Sequence, residues 1–288
     1  MSITVSDCSI RENFRSPVTQ ANGDIIFGDL IFMRQHNPDG MAEKTKDGVR
    51  LTIRKNSYPL DTEDAKENQR AELLEVQKQY LKPGQPVSYS WRMRASGDVP
   101  KNKNRFMVAQ FKSLYGDNES PSPLFALRVE NGQYFATIEQ SYGAGYKKAI
   151  PAKNGLCTEG SPATERVEGG DQLTVLFAKD EKGFATKKWS KLCAPETRVE
   201  NFNPLPKLNE KWVDFKLNIQ AGPKGRIEFY ANGKLVARAA GPFGDLKSDV
   251  VYNKQYFKLG PYRDREDATA SLEYANFYRT CDVKWAEK

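Results

Sequence analysis

Along most of this chain apolar and polar residues alternate with a period of two, and that rhythm restricts the fold to sheet. In the run Val87–Ala95, Tyr89, Trp91 and Met93 fall on one face while Arg92 and Arg94 fall on the other. Successive side chains of an extended strand point to opposite sides, so the pattern reads as a half-buried strand. The same alternation marks residues 24–33, 49–54, 70–75, 105–112, 124–129, 134–140, 172–178, 212–221, 226–230, 234–239, 256–259 and 270–279. Asn131-Gly132 and Asn232-Gly233 each separate two such runs, the strongest local signal for a tight hairpin. Only residues 61–68 and 243–252 carry a helical pattern, and 142–170 reads as long loops over one rim. There is no internal repeat and no break in composition. Residues 1–288 therefore read as one all-β domain, a single-domain β-sandwich of jelly-roll type with a concave substrate groove.

Charge and cysteines narrow the class. Lysine and arginine total 44 against 37 for aspartate and glutamate, and the resulting +7 favours anionic partners. Thirteen tyrosines and fifteen phenylalanines suit strands and also offer stacking surfaces for sugars, Tyr142, Tyr146 and Trp189 among the aromatic candidates. No run of 18 or more apolar residues exists, so no membrane-spanning helix and no membrane partner are expected. The first residues show neither the basic start nor the apolar stretch of a signal peptide, which fits a cytosolic chain or an exported one that has lost it. Cys8 and Cys281 lie near opposite ends, where terminal strands of a sandwich often meet; Cys157 and Cys193 bracket a Gly- and Lys-rich segment. We expect the pairs Cys8–Cys281 and Cys157–Cys193, and with them a secreted or periplasmic protein. With one histidine, His36, and no carboxylate cluster at metal spacing, a zinc centre is not expected; the only cofactor left open is a structural calcium in the acidic loops. A P-loop, a Gly-x-Ser-x-Gly elbow and any nucleic-acid-binding motif are missing, and a monomer is expected.

Chemistry-bearing residues recur at alternate positions on several of these strands. Tyr256, Lys258 and Tyr262 share a face, with Gly260 leaving a gap between them. Arg70 pairs with Glu72 in this way, Gln110 with Lys112, and Arg92 with Arg94. A bent sheet carrying them would form a positive groove. The ordered set Arg70-x-Glu72-Leu73, Ala109-Gln110-x-Lys112 and Tyr256-x-Lys258-x-Gly260-x-Tyr262-Arg263 resembles the motifs of the jelly-roll polysaccharide lyases. This is the alginate-lyase-like superfamily, and the likeness is nearest to its branch of glucuronan lyases and heparin lyase I. The hairpin around Asn232-Gly233 also fits that branch.

That resemblance implies β-elimination on a uronic-acid-containing polysaccharide, with glucuronan-like polymers the first expectation and alginate the second. Arg70 and Gln110 would bind the carboxylate next to the C5 proton, which acidifies that proton by stabilising the enolate-like charge. Glu72 would orient Arg70, and Tyr262 would protonate the leaving O4 and in a syn elimination also act as base. Lys258 is the expected cation to lower the phenol's pKa. Tyr256, Lys112, Arg92, Arg94 and Arg263 would contact substrate. The family pattern has a histidine where Lys112 stands, so the base remains open between Tyr262, His36 and Lys112. The carboxylate set of sandwich-fold glycosidases is absent, which argues against hydrolysis. The competing reading is a non-catalytic, lectin-like binder of anionic glycans on the same fold.

Overall fold

In the computed structural model, residues 8–12, 14, 17–33, 42–54, 57, 68–97, 105–115, 118–119, 123–141, 149–154, 156–168, 172–179, 191–244 and 252–286 are described. Every strand pairing among them is antiparallel, and none of them is α-helical. The expected helical segments fall largely outside the described residues, and their ends, Asn68, Phe243 and Tyr252, belong to strands.

The strands form two layers. In the first, hydrogen-bonded neighbours run Leu30–Phe32, Leu73–Glu75, Tyr252–Asp264, Phe106–Tyr115, Phe125–Glu130, Gln133–Ser141, Gln172–Ala178 and Ser161–Glu168. In the second they run Ala42–Lys44, Val49–Ile53, Ala270–Thr280, Val87–Ala95, Val213–Gln220, Gly222–Ala231, Lys234–Phe243 and Arg198–Asn201. One pair, Gln140 with Phe243, links the layers at a corner, so the ladder is formally continuous. Neighbours are mostly distant in sequence, the mark of a jelly roll rather than a meander.

Aromatic side chains from the two layers interlock to make the core. Tyr89 stacks on Phe257 with centroids 4.5 Å apart, Trp91 lies 5.1 Å from the same ring, and Phe125 meets Phe229 edge-on at 5.1 Å. These offset and edge contacts are the favoured aromatic geometries. Both Asn-Gly hairpins form with positive φ at each turn residue (51° and 74°; 51° and 76°), the backbone that only a short polar residue and glycine adopt cheaply. Both expected disulfides are present, Cys8–Cys281 tying Ile10–Glu12 to its partner strand Ala270–Thr280.

Three expectations need correction. Residues 24–33 are a hairpin, Ile25–Phe27 and Leu30–Phe32, folded at Gly28 with φ +58, and not one strand. The 142–170 segment contains the Ser161–Glu168 strand, whose pairing shifts register between Ala163 and Val167; that irregularity blurred its period of two. Residues 70–75 break into Asn68–Arg70 and Leu73–Glu75, with Ala71 and Glu72 kinked between them against Gly260.

Candidate active site

Register decides which polar residues meet. Tyr252–Asp264 is flanked by Asn68–Arg70 and Leu73–Glu75 on one side and by Phe106–Tyr115 on the other. Arg70 lies opposite Tyr262, Gln110 opposite Lys258, and Lys112 opposite Tyr256. Phe257, Leu259, Phe111 and Leu73 on the same strands point into the core, so alternation turns these polar residues to the outer face of the first sheet. Gln110, Lys112, Lys258, Glu72 and Tyr256 are nevertheless each at most 8 % exposed. Charged groups withdrawn from water in this way cost free energy unless they are compensated, which marks the face as a built surface.

Gly260 does not leave a gap. Its φ is +137, and a Cβ there would stand 2.7 Å from Glu72 Cα and nearer still to the Ala71 carbonyl oxygen. Only glycine lets the kinked backbone close in. Over it, Gln110 Nε2 donates to Glu72 Oε1 at 2.6 Å, a bond spanning the strand between them. Glu72 thus holds Gln110 as well as standing two residues from Arg70.

Arg70 and Arg105 both lie over the Tyr262 ring, 5.2 and 4.9 Å from its centroid. Arg105 is pinned by Asp264 Oδ1 at 2.7 Å and Asn68 Oδ1 at 2.5 Å. Arg70 is different: its guanidinium makes no hydrogen bond or ion pair with the described residues, although the Nε atoms of both arginines are shielded from water without a partner. Burial pushes the Tyr262 phenol above its ordinary value of 10.0; Arg105 and Arg70 pull it down, while Glu72 and Asp264 push it up. The cations acting on the phenol are therefore these two arginines and not Lys258, whose Nζ instead sits 5.5 Å over the Tyr256 ring.

Sequence reasoning missed Arg105 for a physical reason. Strict alternation from Gln110 puts it on the core side. The pairing of Phe106–Tyr115 shifts register between Met107 and Ala109 on both flanks, and this bulge inverts the phase and brings Arg105 to the outer face. Its signal was present as a charge opening the run.

Other expected site residues lie elsewhere. Arg92 and Arg94 occupy the outer face of the second sheet, across the core, where Arg92 pairs with Asp214 at 2.7 Å and Arg94 with Glu273 at 2.6 Å. Alternation showed that they shared a face; it could not show which sheet owned it. Arg263 alternates away from Tyr262, is 1 % exposed, and bonds Gln69, Glu266 and the Ala268 carbonyl oxygen. It braces the end of the strand instead of facing substrate. Lys112 sits beside Tyr256, six residues and roughly 20 Å of strand from Tyr262. His36, Tyr142, Tyr146 and Trp189 lie outside the described residues.

The fold is shared with an endo-β-1,4-glucuronan lyase from the fungus Trichoderma reesei (TM-score 0.51, 11% identity, 96% of this chain and 99% of that one). Weaker similarity extends to an alginate lyase from Pseudomonas aeruginosa (TM-score 0.46, 14% identity, 85% and 86% covered). No curated protein sequence matches. The family model described as polysaccharide lyase matches residues 35–278. The chain belongs to the polysaccharide lyase family and is a carbon–oxygen lyase acting on polysaccharides.

Proposed function

We propose that this lyase cleaves a uronic-acid-containing polysaccharide, glucuronan-like in the first instance, by β-elimination at the outer face around Tyr262, leaving an unsaturated uronate end. The observation that carries this is Arg70, a guanidinium without a hydrogen bond or ion pair among the described residues, set over the phenol of Tyr262. A shielded, unmatched Nε is unfavourable until an acceptor arrives, and a planar carboxylate matches the guanidinium fork. Arg105 beside it is already held through Nη2 by Asp264 and Asn68, so of the two guanidiniums it is Arg70 whose whole fork is open to a carboxylate.

In a β-1,4-linked D-glucuronate unit the C5 proton and O4 lie on the same side of the ring, so one group can serve both. Arg70 neutralises the carboxylate and Gln110 donates a hydrogen bond to it, and both stabilise the charge that grows there as C5 loses its proton. The Tyr262 phenolate takes that proton, the electron pair forms the C4–C5 double bond, and the C4–O4 bond breaks. The phenol then returns its proton to O4, which restores the phenolate. Arg70 and Arg105 favour the phenolate that starts the cycle. Lys258, Lys112 and Tyr256 continue this buried polar face along the strand, and no cofactor is needed. Two disulfides support a secreted or periplasmic enzyme; we take it to act as a single-domain monomer.

The test is growth of ultraviolet absorbance from unsaturated uronate on glucuronan, alginate, heparin-type and pectic polymers. Turnover on one polymer that disappears in Tyr262→Phe, with binding retained, supports the assignment. Binding without turnover on any of them replaces it with the lectin-like reading.

A further inference from the structure

The far side of the sandwich carries a second cleft, remote from Tyr262. It lies on the outer face of the second sheet, has a volume of about 320 Å³, and is lined among others by Lys44, Lys46, Asp47, Arg92, Trp212 and Asn276. Three cations and one carboxylate surround a half-buried indole. Lys44 and Lys46 are exposed and make no ion pair with the described residues, whereas Arg92 shares its charge with Asp214.

The cleft is assembled and not accidental relief. Trp212 is held by two guanidiniums, Arg94 at 4.5 Å and Arg92 at 5.4 Å from the ring centroid. Arg94 is itself fixed by two bonds to Glu273 Oε2, from Nε at 2.9 Å and Nη2 at 2.6 Å. The aromatic surface is therefore rigid before any ligand arrives, which lowers the ordering cost of binding. The neighbouring strand supplies a second, independent observation. Between Ala275 and Tyr278 its register with Val87–Ala95 shifts, and Asn276 stands there exposed with φ +52. Bulges re-aim side chains, and this one turns Asn276 outward beside the cleft. The Lys44–Asp47 loop is pressed onto this bulge: at Gly48 a Cβ would lie 2.9 Å from the Tyr274 carbonyl carbon.

We propose that this cleft is a second, non-catalytic binding site for a carboxylated saccharide. The pyranose ring packs on Trp212, Lys44 and Lys46 take its carboxylates, and Asn276 and Asp47 take hydroxyls. The choice of ligand rests on the uronate reading of the Tyr262 face. The combination of one aromatic platform with cations and amide or carboxylate acceptors suits a sugar acid better than a bare anion, which would make no use of the indole. With two sites on opposite faces, a long polymer held at the Trp212 cleft raises its own effective concentration at Tyr262. Polymer cleavage then gains from the cleft, and cleavage of short oligosaccharides does not.

The experiment uses glucuronate and mannuronate hexasaccharides as probes, titrated calorimetrically into the Arg70→Ala protein with and without Lys44→Glu/Lys46→Glu. One of the two probes should still bind Arg70→Ala, and the added lysine changes should weaken that binding about tenfold, the order expected for two exposed charge contacts. A neutral cello-oligosaccharide should not bind, and Trp212→Ala should abolish the fluorescence change that accompanies binding. Binding that vanishes with Arg70→Ala alone and ignores Lys44 and Lys46 overturns the proposal, as does failure of both hexasaccharides to bind the native chain. The lyase reading is scored separately, by unsaturated uronate from the native chain. Lysine-dependent binding without turnover keeps this site and sinks that reading, and turnover without lysine-dependent binding does the reverse.

Discussion

Replacing Gly260 by alanine tests whether the site depends on the close approach of the Ala71–Glu72 backbone. At φ +137 the backbone is in a region open essentially to glycine alone, a cost of about 1–3 kcal/mol for alanine. The new Cβ would also stand 2.7 Å from Glu72 Cα, well inside van der Waals contact, and relieving such overpacking costs about 1–3 kcal/mol more. The sum, near 4 kcal/mol, is a large part of a typical domain stability of about 5–15 kcal/mol, yet leaves the protein folded. The relief available is for the kinked segment to retreat, which carries Arg70 from Tyr262 and Glu72 from Gln110. A displacement of about 1 Å at reacting groups is worth about a hundredfold in rate. The control is Gly132→Ala, at φ +74 with no atom within 4 Å of its Cβ, where only the left-handed conformation is penalised, by about 1–2 kcal/mol. Urea unfolding and the rate of unsaturated-uronate formation measure both quantities. A Gly260→Ala protein as stable as Gly132→Ala, or one with native turnover, refutes the argument.

Arg70→Ala should lower kcat/KM by about 10²–10³-fold while leaving the urea midpoint nearly unchanged, because this guanidinium makes no hydrogen bond or ion pair with the described residues and among them stacks only on the Tyr262 ring. Since burial holds the Tyr262 phenol above 10.0, turnover should climb from neutral into alkaline pH as the phenolate fraction grows, and a profile falling over that range contradicts a phenolate base. Burial likewise raises the Glu75 carboxyl from 4.5 to about 7, against the pull of Arg279, the Phe257 N–H and Tyr89. A folded carboxyl that keeps its proton longer than the unfolded one stabilises fully below about pH 4.5 and loses that contribution as pH rises through about 7, about 3 kcal/mol in all; urea titrations at several pH values should show this limb, and Glu75→Gln should flatten it. On the chain-entropy model, breaking Cys8–Cys281, with 273 residues of separation, should cost roughly 6 kcal/mol, against roughly 4 for Cys157–Cys193 with 36, which unfolding of the two paired Cys→Ser variants would show.

Legibility in the sequence followed the range of the interactions involved. Strands such as Val87–Ala95 and Gln172–Ala178, and both Asn-Gly turns, were readable because their signals are local: a period of two and a dipeptide tolerant of positive φ. Arg70, Gln110 and Tyr262 were nominated from ordered motifs, but their meeting depends on register, which no single strand encodes. Arg92 and Arg94 show the limit from the other side. Their strand alternates as cleanly as any, and only pairing with Val213–Gln220 and Ala270–Thr280 assigns it to the far sheet. Arg105 was hidden by a bulge, and Arg263 was drawn into the site by its place in the motif although alternation from Tyr262 already turned it inward.

The bridge between Cys8 and Cys281 has a topological consequence. Backbone and bridge together close almost the whole chain into a covalent ring. A protease that cuts a surface loop once between those residues opens the ring without releasing a piece. The strands on either side of the nick remain tethered, and reassembly stays a unimolecular event. Such a nicked molecule should run as one band on a non-reducing gel and as two after reduction, and it should refold as a single unit for as long as that bridge survives.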